Sequence, residues 1–391
     1  MQPSRHRHRV LAVAFVLTLA VPPAVQVVVD LAAQRVPGGL ALFMRPPTAA
    51  NLRSAENDIE RESWFAAAGR PLVQQARFFL FADPGQDTVA GRDGWFFYAP
   101  GLQYLTESAR RESDSARQDC LAAVCTFRDQ LAARGIHLIV VPAPGKASVY
   151  PDKLTARMTA AGSPYTPTRD LIAQLTAAGV DVVDLFEAFA QARQDPADSE
   201  PLYLAQDTHW SPHGVRVAAQ AVAERVLDSG RTDPGTIDYT LDPVTIRRLG
   251  DIIRMARAPA LEKRIAPESV DCLQVIDPRT GKPYRDEDDA QVLVLGDSFL
   301  RIYESDEPGA AGFISHLARC LKRPIASIVN DGGASTLVRQ TLSRRPELLE
   351  NKKVVIWEFV ERDIRFGTEG WQPVNLPPPL PSARGRSASG F

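Results

Sequence analysis

The stretch AQVLVLGDSFL, residues 290–300, decides the fold class of this chain of 391 residues. Its unbroken run of Val and Leu predicts a strand buried on both faces, as in a parallel sheet covered by helices. Gly-Asp-Ser then predicts a sharp turn that leaves Ser298 at the carboxyl edge of the sheet, where such folds carry their functional loops. Ser298 is therefore a candidate nucleophile, although it lacks the G-x-S-x-G pattern of the nucleophile elbow. The alternative is a serine that only caps a turn between a strand and a helix.

Segments on both sides of this stretch repeat the alternation of apolar strands and amphipathic helices. The pattern predicts an α/β fold with a mostly parallel sheet, covered by helices on both faces. Functional loops are expected at 142–146, 296–299 and 330–333. The predicted strands, with their following loops, are 136–146, 180–186, 290–300, 324–333 and 352–362, and an aromatic strand follows a turn at Asp93-Gly94. The predicted helices are 113–135, 168–179, 211–230, 311–321 and 336–349.

A second stretch, QDTHWSPHG at residues 206–214, holds two of the six histidines of the chain. Ser211 followed by Pro212 predicts the start of a helix, because Ser suits the N-cap and Pro suits the first helical position. His209 then precedes the helix and His213 lies in its first turn, so the two rings do not share a helical face. We therefore predict no metal site at these histidines.

Asp207 and His209 lie two residues apart in a segment predicted to be extended, so their side chains point to the same side. A carboxylate beside an imidazole fixes the tautomer of the ring and stabilises its protonated form, as in serine hydrolases. The alternative is a capping loop whose aspartate bonds only backbone amides. Because a serine nucleophile needs a base and the base needs an orienting group, Asp207, His209 and Ser298 together predict a catalytic triad.

A tetrahedral intermediate also needs hydrogen-bond donors for its oxyanion. The backbone amide of Ser298 is one candidate. The loop NDGG, which follows another predicted strand, offers Asn330, Gly332 and Gly333. The alternative for this loop is an ordinary tight turn.

The net charge of the chain and its N-terminal segment indicate which partners it can bind and in which compartment it is found. The net charge of −2 and the lack of a basic patch beyond the N-terminus predict no binding to nucleic acid. Residues 1–9 carry Arg5, Arg7 and Arg9, and the apolar run at 10–29 is broken at few positions. An apolar run of about 20 residues can cross a bilayer, and the arginines favour a cytoplasmic N-terminus. We predict an uncleaved transmembrane anchor, with a cleaved signal peptide as the alternative.

The rest of the chain is predicted to form a linker at 30–60, one catalytic domain at 61–365 and a disordered tail rich in Pro and Ser at 366–391. Four cysteines suit a compartment outside the cytoplasm and allow three full disulfide pairings. Buried free thiols are the alternative, and the chain has no C-x-x-C pair that would indicate zinc. The cysteines are Cys120, Cys125, Cys272 and Cys320.

The motifs DTHW (207–210) and GDSF (296–299) together resemble the periplasmic SGNH-hydrolase-like proteins of alginate O-acetylation. VPAPGKASVYP (141–151), GWFFY (94–98) and VIWEFVERDI (355–364) support the resemblance, which covers residues 50–365. It implies an SGNH-hydrolase-like three-layer sandwich. By motif, Ser298 is the nucleophile, His209 the base and Asp207 the group that orients the base.

The resemblance also implies the transfer of acetyl groups to hydroxyls of an exopolysaccharide in the periplasm, either alginate or another glycan. It implies two partners, the polysaccharide acceptor and a multi-pass membrane O-acyltransferase that supplies acetyl, and it requires no cofactor. Trp210 and Tyr303 are then candidate platforms for a sugar ring, with core packing as the alternative for Trp210. Arg301 is within reach of the site, and Lys146 is a candidate contact for an acidic glycan. Surface positions without a role are the alternative for Arg301, Tyr303 and Lys146.

The sequence leaves three other functions open. An acetylesterase would use the same triad and hand the acetyl group to water. A non-catalytic polysaccharide-binding or scaffold subunit would not need all three triad residues. An enzyme that modifies a cell-wall or lipid-linked glycan would differ only in its acceptor.

Overall fold

The computed structural model describes residues 5–37, 44, 46, 48, 51–53, 63–65, 69, 73, 85, 87–107, 111–158, 166–195, 200–233, 235–331 and 333–378. The chain forms two units, residues 1–85 with 257–263, and residues 86–256 with 264–391. The strands in the described part are β1 (Thr88–Ala90), β2 (Phe96–Tyr98), β3 (His137–Ala143), β4 (Asp181–Val182), β5 (Thr240–Arg248), β6 (Glu268–Asp277), β7 (Lys282–Pro283), β8 (Val292–Gly296), β9 (Ala326–Val329) and β10 (Val354–Val360).

The helices of the same ranges connect these strands. They are α1 (Arg5–Ala32), α2 (Ala99–Thr106), α3 (Arg111–Ala132), α4 (Lys146–Val149), α5 (Pro151–Leu154), α6 (Pro167–Ala177), α7 (Leu185–Gln194), α8 (Pro212–Asp228), α9 (Asp251–Met255), α10 (Pro259–Arg264), α11 (Ser298–Arg301), α12 (Phe313–Leu321), α13 (Leu337–Arg344), α14 (Asp363–Phe366) and a 3₁₀ helix at Pro346–Leu349.

The first unit contains α1, which includes the predicted anchor at 10–29 and continues to residue 32. Residues 9–32 have a mean hydropathy of 2.2 and are long and apolar enough to cross a membrane. A signal sequence can have the same length and composition. Within this unit the backbone N–H of Trp64 donates to Oε1 of Gln26 at 2.8 Å. Of the predicted linker, residues 38–43, 45, 47, 49–50 and 54–60 lie outside the described residues.

The second unit is built on a five-stranded parallel sheet in the order β4-β3-β10-β8-β9. Successive side chains of a strand point to opposite faces of the sheet. Ile139 and Val141 of β3 accordingly pack in one core, with α7, α8 and α12, whereas Leu138 and Val140 pack in the other, with α3, α6 and α13. The second unit is therefore the three-layer α/β sandwich with a parallel sheet that the sequence predicts.

Two antiparallel sheets accompany the parallel one in the described part: β1 pairs with β2, and a larger sheet was not anticipated from the sequence. β5, β6 and β7 form an antiparallel sheet in which Thr240 lies opposite Ile276 and Arg248 lies opposite Glu268. The alternation of β5 is short: it covers Val244 to Arg248 and is interrupted at Pro243, and most side chains of the strand are exposed. This weak pattern did not lead to a predicted strand, although its last residue reaches the candidate site.

Two predicted elements are shorter than expected. The strand predicted at 180–186 is only β4, because Asp184 caps α7 and its Oδ1 accepts from the N–H groups of Phe186 at 2.9 Å and Glu187 at 3.3 Å. The helix predicted at 336–349 ends at Arg344, since the residue before Pro346 is driven out of the helical region. All four cysteines are free thiols, and the alternative of buried free thiols applies to Cys120 and Cys272, whereas Cys125 and Cys320 are partly exposed.

The expected disorder of the tail at 366–391 is wrong for its first part. The ring of Trp371 lies 5.0 Å from that of Phe359 and 5.7 Å from that of Trp357, and its Nε1 donates to the carbonyl of Ile364 at 2.9 Å. These buried aromatic contacts offset the entropy of ordering a Pro-rich segment. Residues 379–391 lie outside the described residues.

Replacing Trp371 by Ala should therefore lower the free energy of unfolding by about 3–5 kcal/mol, the usual cost of removing a buried aromatic ring. Denaturant unfolding of the two proteins measures this difference. Phe366→Ala is the matched control, because that ring is 38% exposed, and it should cost less than about 1 kcal/mol. Equal small losses in the two variants would show that the tail does not pack against the sheet.

Candidate active site

The strand that carries Ser298 ends in a turn with no room for a side chain. A Cβ added to Gly296 would lie 2.4 Å from Cδ1 of Leu300 and 2.5 Å from Oε2 of Glu358. Only glycine therefore fits between β8 and the first turn of α11. This close approach brings Ser298 directly over the carboxyl end of the parallel strand.

Asp297 holds the other side of the same turn. Its Oδ1 accepts from the N–H of Phe299 at 2.9 Å, which caps α11. Its Oδ2 accepts from the N–H of Val360 at 3.5 Å, which ties the turn to the neighbouring strand β10. The N–H of Ser298 has no acceptor among the described residues, so this backbone donor is available to a bound group.

His209 lies just before a helix, as the sequence predicts. Ser211 caps α8, and its Oγ accepts from the N–H of Gly214 at 3.1 Å. Tyr203 and Trp210 form an isolated antiparallel bridge that closes the intervening loop. The loop therefore presents His209 beside the sheet edge while His213 is held inside the helix.

A continuous chain of hydrogen bonds joins the three predicted residues. Nδ1 of His209 lies 2.6 Å from Oδ1 of Asp207, and Nε2 lies 2.8 Å from Oγ of Ser298. Asp207 and His209 are buried, and Ser298 is partly exposed. This geometry suits proton transfer from the serine hydroxyl to the imidazole, with the carboxylate stabilising the imidazolium.

Two further residues, which were not identified from the sequence, donate hydrogen bonds to the carboxylate of Asp207. Nε of Arg248, at the end of β5, donates to Oδ2 of Asp207 at 2.9 Å, and the N–H of Asp251 donates to the same oxygen at 3.2 Å. The carboxylate of Asp251 accepts from the N–H of Thr208 at 2.7 Å and lies 3.5 Å from Nδ1 of His209. Arg248 is the last residue of β5, which the sequence analysis did not predict, and Asp251 lies three residues after it.

The pKa values of Asp207 and His209 are shifted in opposite directions by the neighbouring charges. Burial raises the pKa of Asp207, but His209 and Arg248 outweigh it and bring this pKa well below its ordinary value. Burial lowers the pKa of His209, but Asp207 outweighs it and raises this pKa above 6.5. Burial and the charge of Asp207 raise the pKa of Asp251. The site therefore favours an ionised Asp207 and strengthens His209 as a base.

Lys146 lies beneath the loop rather than on the surface. Its Nζ donates to the carbonyls of Phe96 at 2.6 Å, Ala205 at 2.8 Å and Asp207 at 3.0 Å. It also lies 5.0 Å from the ring centroid of Trp95. Burial lowers the pKa of Lys146 to about 7. The alternative of an exposed loop lysine is wrong because Lys146 is buried, and the expected contact with an acidic glycan is not supported because its three hydrogen bonds hold the loop to β2.

Residues 88–361 match the family model described as "SGNH hydrolase-like domain, acetyltransferase AlgX". The chain belongs to this family. It is 27% identical over 342 residues to "Probable alginate O-acetylase AlgJ" of Pseudomonas putida, which covers 83% of this chain and 84% of that protein. It is 25% identical over 245 residues to "Alginate biosynthesis protein AlgX" of Pseudomonas aeruginosa, which covers 60% of this chain and 48% of that protein.

Solved structures of the AlgX family share the fold. The O-acetyltransferase domain of Pseudomonas putida AlgJ has a TM-score of 0.57 at 24% identity and covers 72% of this chain and 93% of that chain. Pseudomonas aeruginosa AlgX has a TM-score of 0.52 at 23% identity and covers 70% of this chain and 61% of that chain. At these identities the likeness shows the fold alone.

The aromatic residues near the AlgX-family motifs are core residues. Trp210 and Tyr303 have no exposed surface, and the indole Nε1 of Trp210 donates to the hydroxyl of Tyr203 at 2.9 Å. The ring of Trp210 packs 5.0 Å from that of Phe299, and the hydroxyl of Tyr303 donates to the carbonyl of Trp210 at 3.3 Å. The expectation that they are platforms for a sugar ring is wrong, because neither ring face is open to a ligand.

The other predicted residues surround the site without joining its hydrogen-bond chain. Nε of Arg301 donates to Oδ1 of Asp331 at 2.8 Å, so its charge is already paired. Asn330 follows β9, and its N–H donates to the carbonyl of Gly296 at 3.0 Å. The N–H of Gly333 donates to the carbonyl of Asn330 at 3.0 Å, which removes this amide as an oxyanion donor. Gly332 lies outside the described residues.

The histidines do not form the metal pair that the spacing of His209 and His213 first suggests. A different group, the side chains of Asp207, His209 and Asp251, has ligand atoms within 4.8 Å of one another. Arg248 donates to Asp207, and Thr208 donates to Asp251, so these carboxylates already have hydrogen-bonded partners. The absence of a metal at this site remains a prediction.

The pKa of His209 provides a direct check of this arrangement. In an NMR titration of the ring protons, assigned with His209→Gln, His209 should titrate above the ordinary value of 6.5. Asp207→Asn should move the pKa below that of the wild type, because burial then acts without the opposing carboxylate. Asp251→Asn is the matched control and should lower it less, since Asp251 lies farther from Nδ1 and also bonds Thr208. Equal shifts in the two variants would contradict the assignment of Asp207 as the main partner.

Proposed function

We propose that this chain is an O-acetyltransferase that transfers acetyl groups to hydroxyls of an exopolysaccharide of the alginate type, through an acetyl-enzyme on Ser298. Membership of the AlgX acetyltransferase family supports the reaction class. The name of the Pseudomonas putida relative, an alginate O-acetylase, supports the acceptor. The observation that carries the mechanism is the hydrogen-bond chain from Arg248 through Asp207 and His209 to Ser298.

In the first half-reaction Ser298 attacks the carbonyl carbon of the acetyl donor. The proton of its Oγ passes to Nε2 of His209, and Asp207 stabilises the imidazolium through Nδ1. The carbonyl oxygen becomes an oxyanion that accepts from the free N–H of Ser298. As the carbonyl forms again, the bond to the leaving group breaks and His209 returns the proton to that group.

In the second half-reaction a sugar hydroxyl replaces the departed group. His209 takes the hydroxyl proton, and the sugar oxygen attacks the acetyl carbon of the ester on Ser298. The intermediate collapses with cleavage of the bond to Oγ, and His209 returns the proton to Ser298. The partly exposed position of Ser298 at the sheet edge suits a polymeric acceptor, which has to reach the site from outside.

The proposed location of the protein in the cell is based on α1. Its length and composition suit an anchor in the inner membrane, with the second unit on the periplasmic side. A multi-pass membrane O-acyltransferase is the proposed supplier of acetyl groups across that membrane. An acetylesterase is the second candidate, because the same triad would pass the acetyl group to water. A non-catalytic subunit has less support, since the three side chains meet at proton-transfer distances.

The nucleophile is tested by Ser298→Ala. The full-length wild-type protein should hydrolyse a chromogenic acetate ester and gain the mass of one acetyl group, and the variant should lose at least about 1,000-fold in rate. Ser343→Ala is the control, since that hydroxyl bonds the carbonyl of Gln340 in α13. Acetylated alginate oligosaccharide, detected by mass spectrometry, separates a transferase from an esterase. Equal ester turnover in wild type and Ser298→Ala would refute the mechanism.

Arg248 is proposed to position Asp207 rather than touch the substrate. Arg248→Gln should lower kcat for the chromogenic ester by about 10- to 100-fold with a smaller change in KM, because the lost charge-assisted bond affects the catalytic base. Arg247→Gln is the matched control, since Arg247 lies in the same strand and is exposed. A rise in KM with unchanged kcat would instead place Arg248 in substrate binding.

A further inference from the structure

A small cavity lies beside the triad and has no part in the proposed proton transfer. It has a volume of about 30 Å³, enough for about two waters or the two oxygens of a carboxylate. Its walls include Tyr98, Gly145, Thr208 and Arg362. Thr208 precedes the base in the chain, whereas Ser298 is not part of the wall. The cavity can therefore take a substrate group other than the reacting carbonyl.

The guanidinium of Arg362, in the wall of this cavity, is ion-paired with Asp363 but makes no hydrogen bond within the described residues. Its Cζ lies 5.4 Å from the ring centroid of Tyr98 and 5.7 Å from that of Phe299. These contacts hold the cation without using its N–H donors. The Asp363 carboxylate oxygen lies 3.8 Å from Nε, beyond hydrogen-bond distance, and the guanidinium makes no hydrogen bond to any described residue. Arginine carries five such donors.

The other charged groups in the cavity wall are already satisfied. Lys146 donates to three backbone carbonyls. One oxygen of Glu361 accepts from the N–H of Gly145 at 2.7 Å, and the other accepts from the Thr166 hydroxyl at 2.8 Å. Arg362 is therefore the cation of this wall, within the described residues, whose donors are available to a ligand.

Arg362 is also close enough to act on the same substrate as the triad. The ring of Phe299, which its guanidinium faces, lies 5.0 Å from that of His209. Asp207 outweighs burial and raises the pKa of His209, and burial raises the pKa of Asp297; the charge of Arg362 opposes both increases. A sugar whose hydroxyl reaches His209 would therefore place its other substituents near the guanidinium.

We propose that Arg362 binds the carboxylate of an acidic sugar unit of the acceptor and so selects a polyuronate over a neutral glycan. A planar guanidinium with free N–H groups matches a carboxylate with two parallel hydrogen bonds, a geometry that a neutral hydroxymethyl group cannot provide. This inference rests on the proposed function. It assigns Arg362 to acceptor binding and leaves formation of the acetyl-enzyme to Ser298 and His209.

Acceptor kinetics test the proposal with two matched substrates, an oligomannuronate and the same oligosaccharide with its carboxylates reduced to alcohols. For the full-length wild type, KM should be lower for the acidic acceptor. Arg362→Gln should raise KM for the acidic acceptor by about 10- to 100-fold, and it should change KM for the reduced acceptor and hydrolysis of a neutral chromogenic ester far less. Arg362→Lys should restore part of the loss. Arg345→Gln is the control, because Arg345 is not part of the cavity wall and is paired with Asp288 at 3.1 Å.

Binding to the inactive protein separates this inference from the proposed reaction. By calorimetry the oligomannuronate should bind Ser298→Ala and bind the double variant Ser298→Ala/Arg362→Gln about 10- to 100-fold more weakly. If the wild type shows no acetyl chemistry but this difference is found, the proposed function fails and the carboxylate site stands. Equal use of the two acceptors by the wild type would overturn the inference even if Arg362→Gln does not fold. An equal loss with both acceptors and with the chromogenic ester would also overturn it.

Discussion

The carboxylate of Asp207 is the group on which the geometry of the site depends. One oxygen faces Nδ1 of His209, and the other accepts from Arg248 and from the N–H of Asp251. The side chain has no exposed surface, and a buried charge is tolerated only when it is paired and hydrogen-bonded. Removing one partner of such a buried pair typically costs about 3–5 kcal/mol. The same contacts therefore stabilise the loop and orient the base.

This constraint connects parts of the chain that are distant in sequence. The loop of Asp207 and His209 precedes α8, Arg248 ends a strand of the antiparallel sheet, and Ser298 follows a strand of the parallel sheet. Lys146 adds a fourth segment by holding the loop to β2 through backbone carbonyls. The antiparallel sheet is thus part of the site's support, although it contributes no group to the proposed proton transfer.

Two buried carboxyl groups, those of Glu358 and Asp297, lie next to the turn that carries Ser298. Oε2 of Glu358 accepts from the N–H of Asp297 at 3.3 Å, and both side chains are buried. Burial, followed by the charge of Asp297, raises the pKa of Glu358 well above its ordinary value, which favours the neutral acid. The turn at Gly296 depends on this packing as well, since no side chain fits there.

Local patterns in the sequence were sufficient for the parallel sheet, the turn at Ser298 and the spacing of Asp207 and His209, because each depends on strand periodicity or on helix capping over a few residues. Arg248, Asp251 and the burial of Trp210, Tyr303 and Trp371 were decided only by the tertiary structure. The partners of Arg248, Asp251 and Tyr303 are tens of residues away in the sequence, and the alternation of β5 is interrupted at Pro243. The sequence therefore determined which groups are available for the chemistry. The fold decided which of them meet, because a buried charge selects its partners by distance and not by position in the chain.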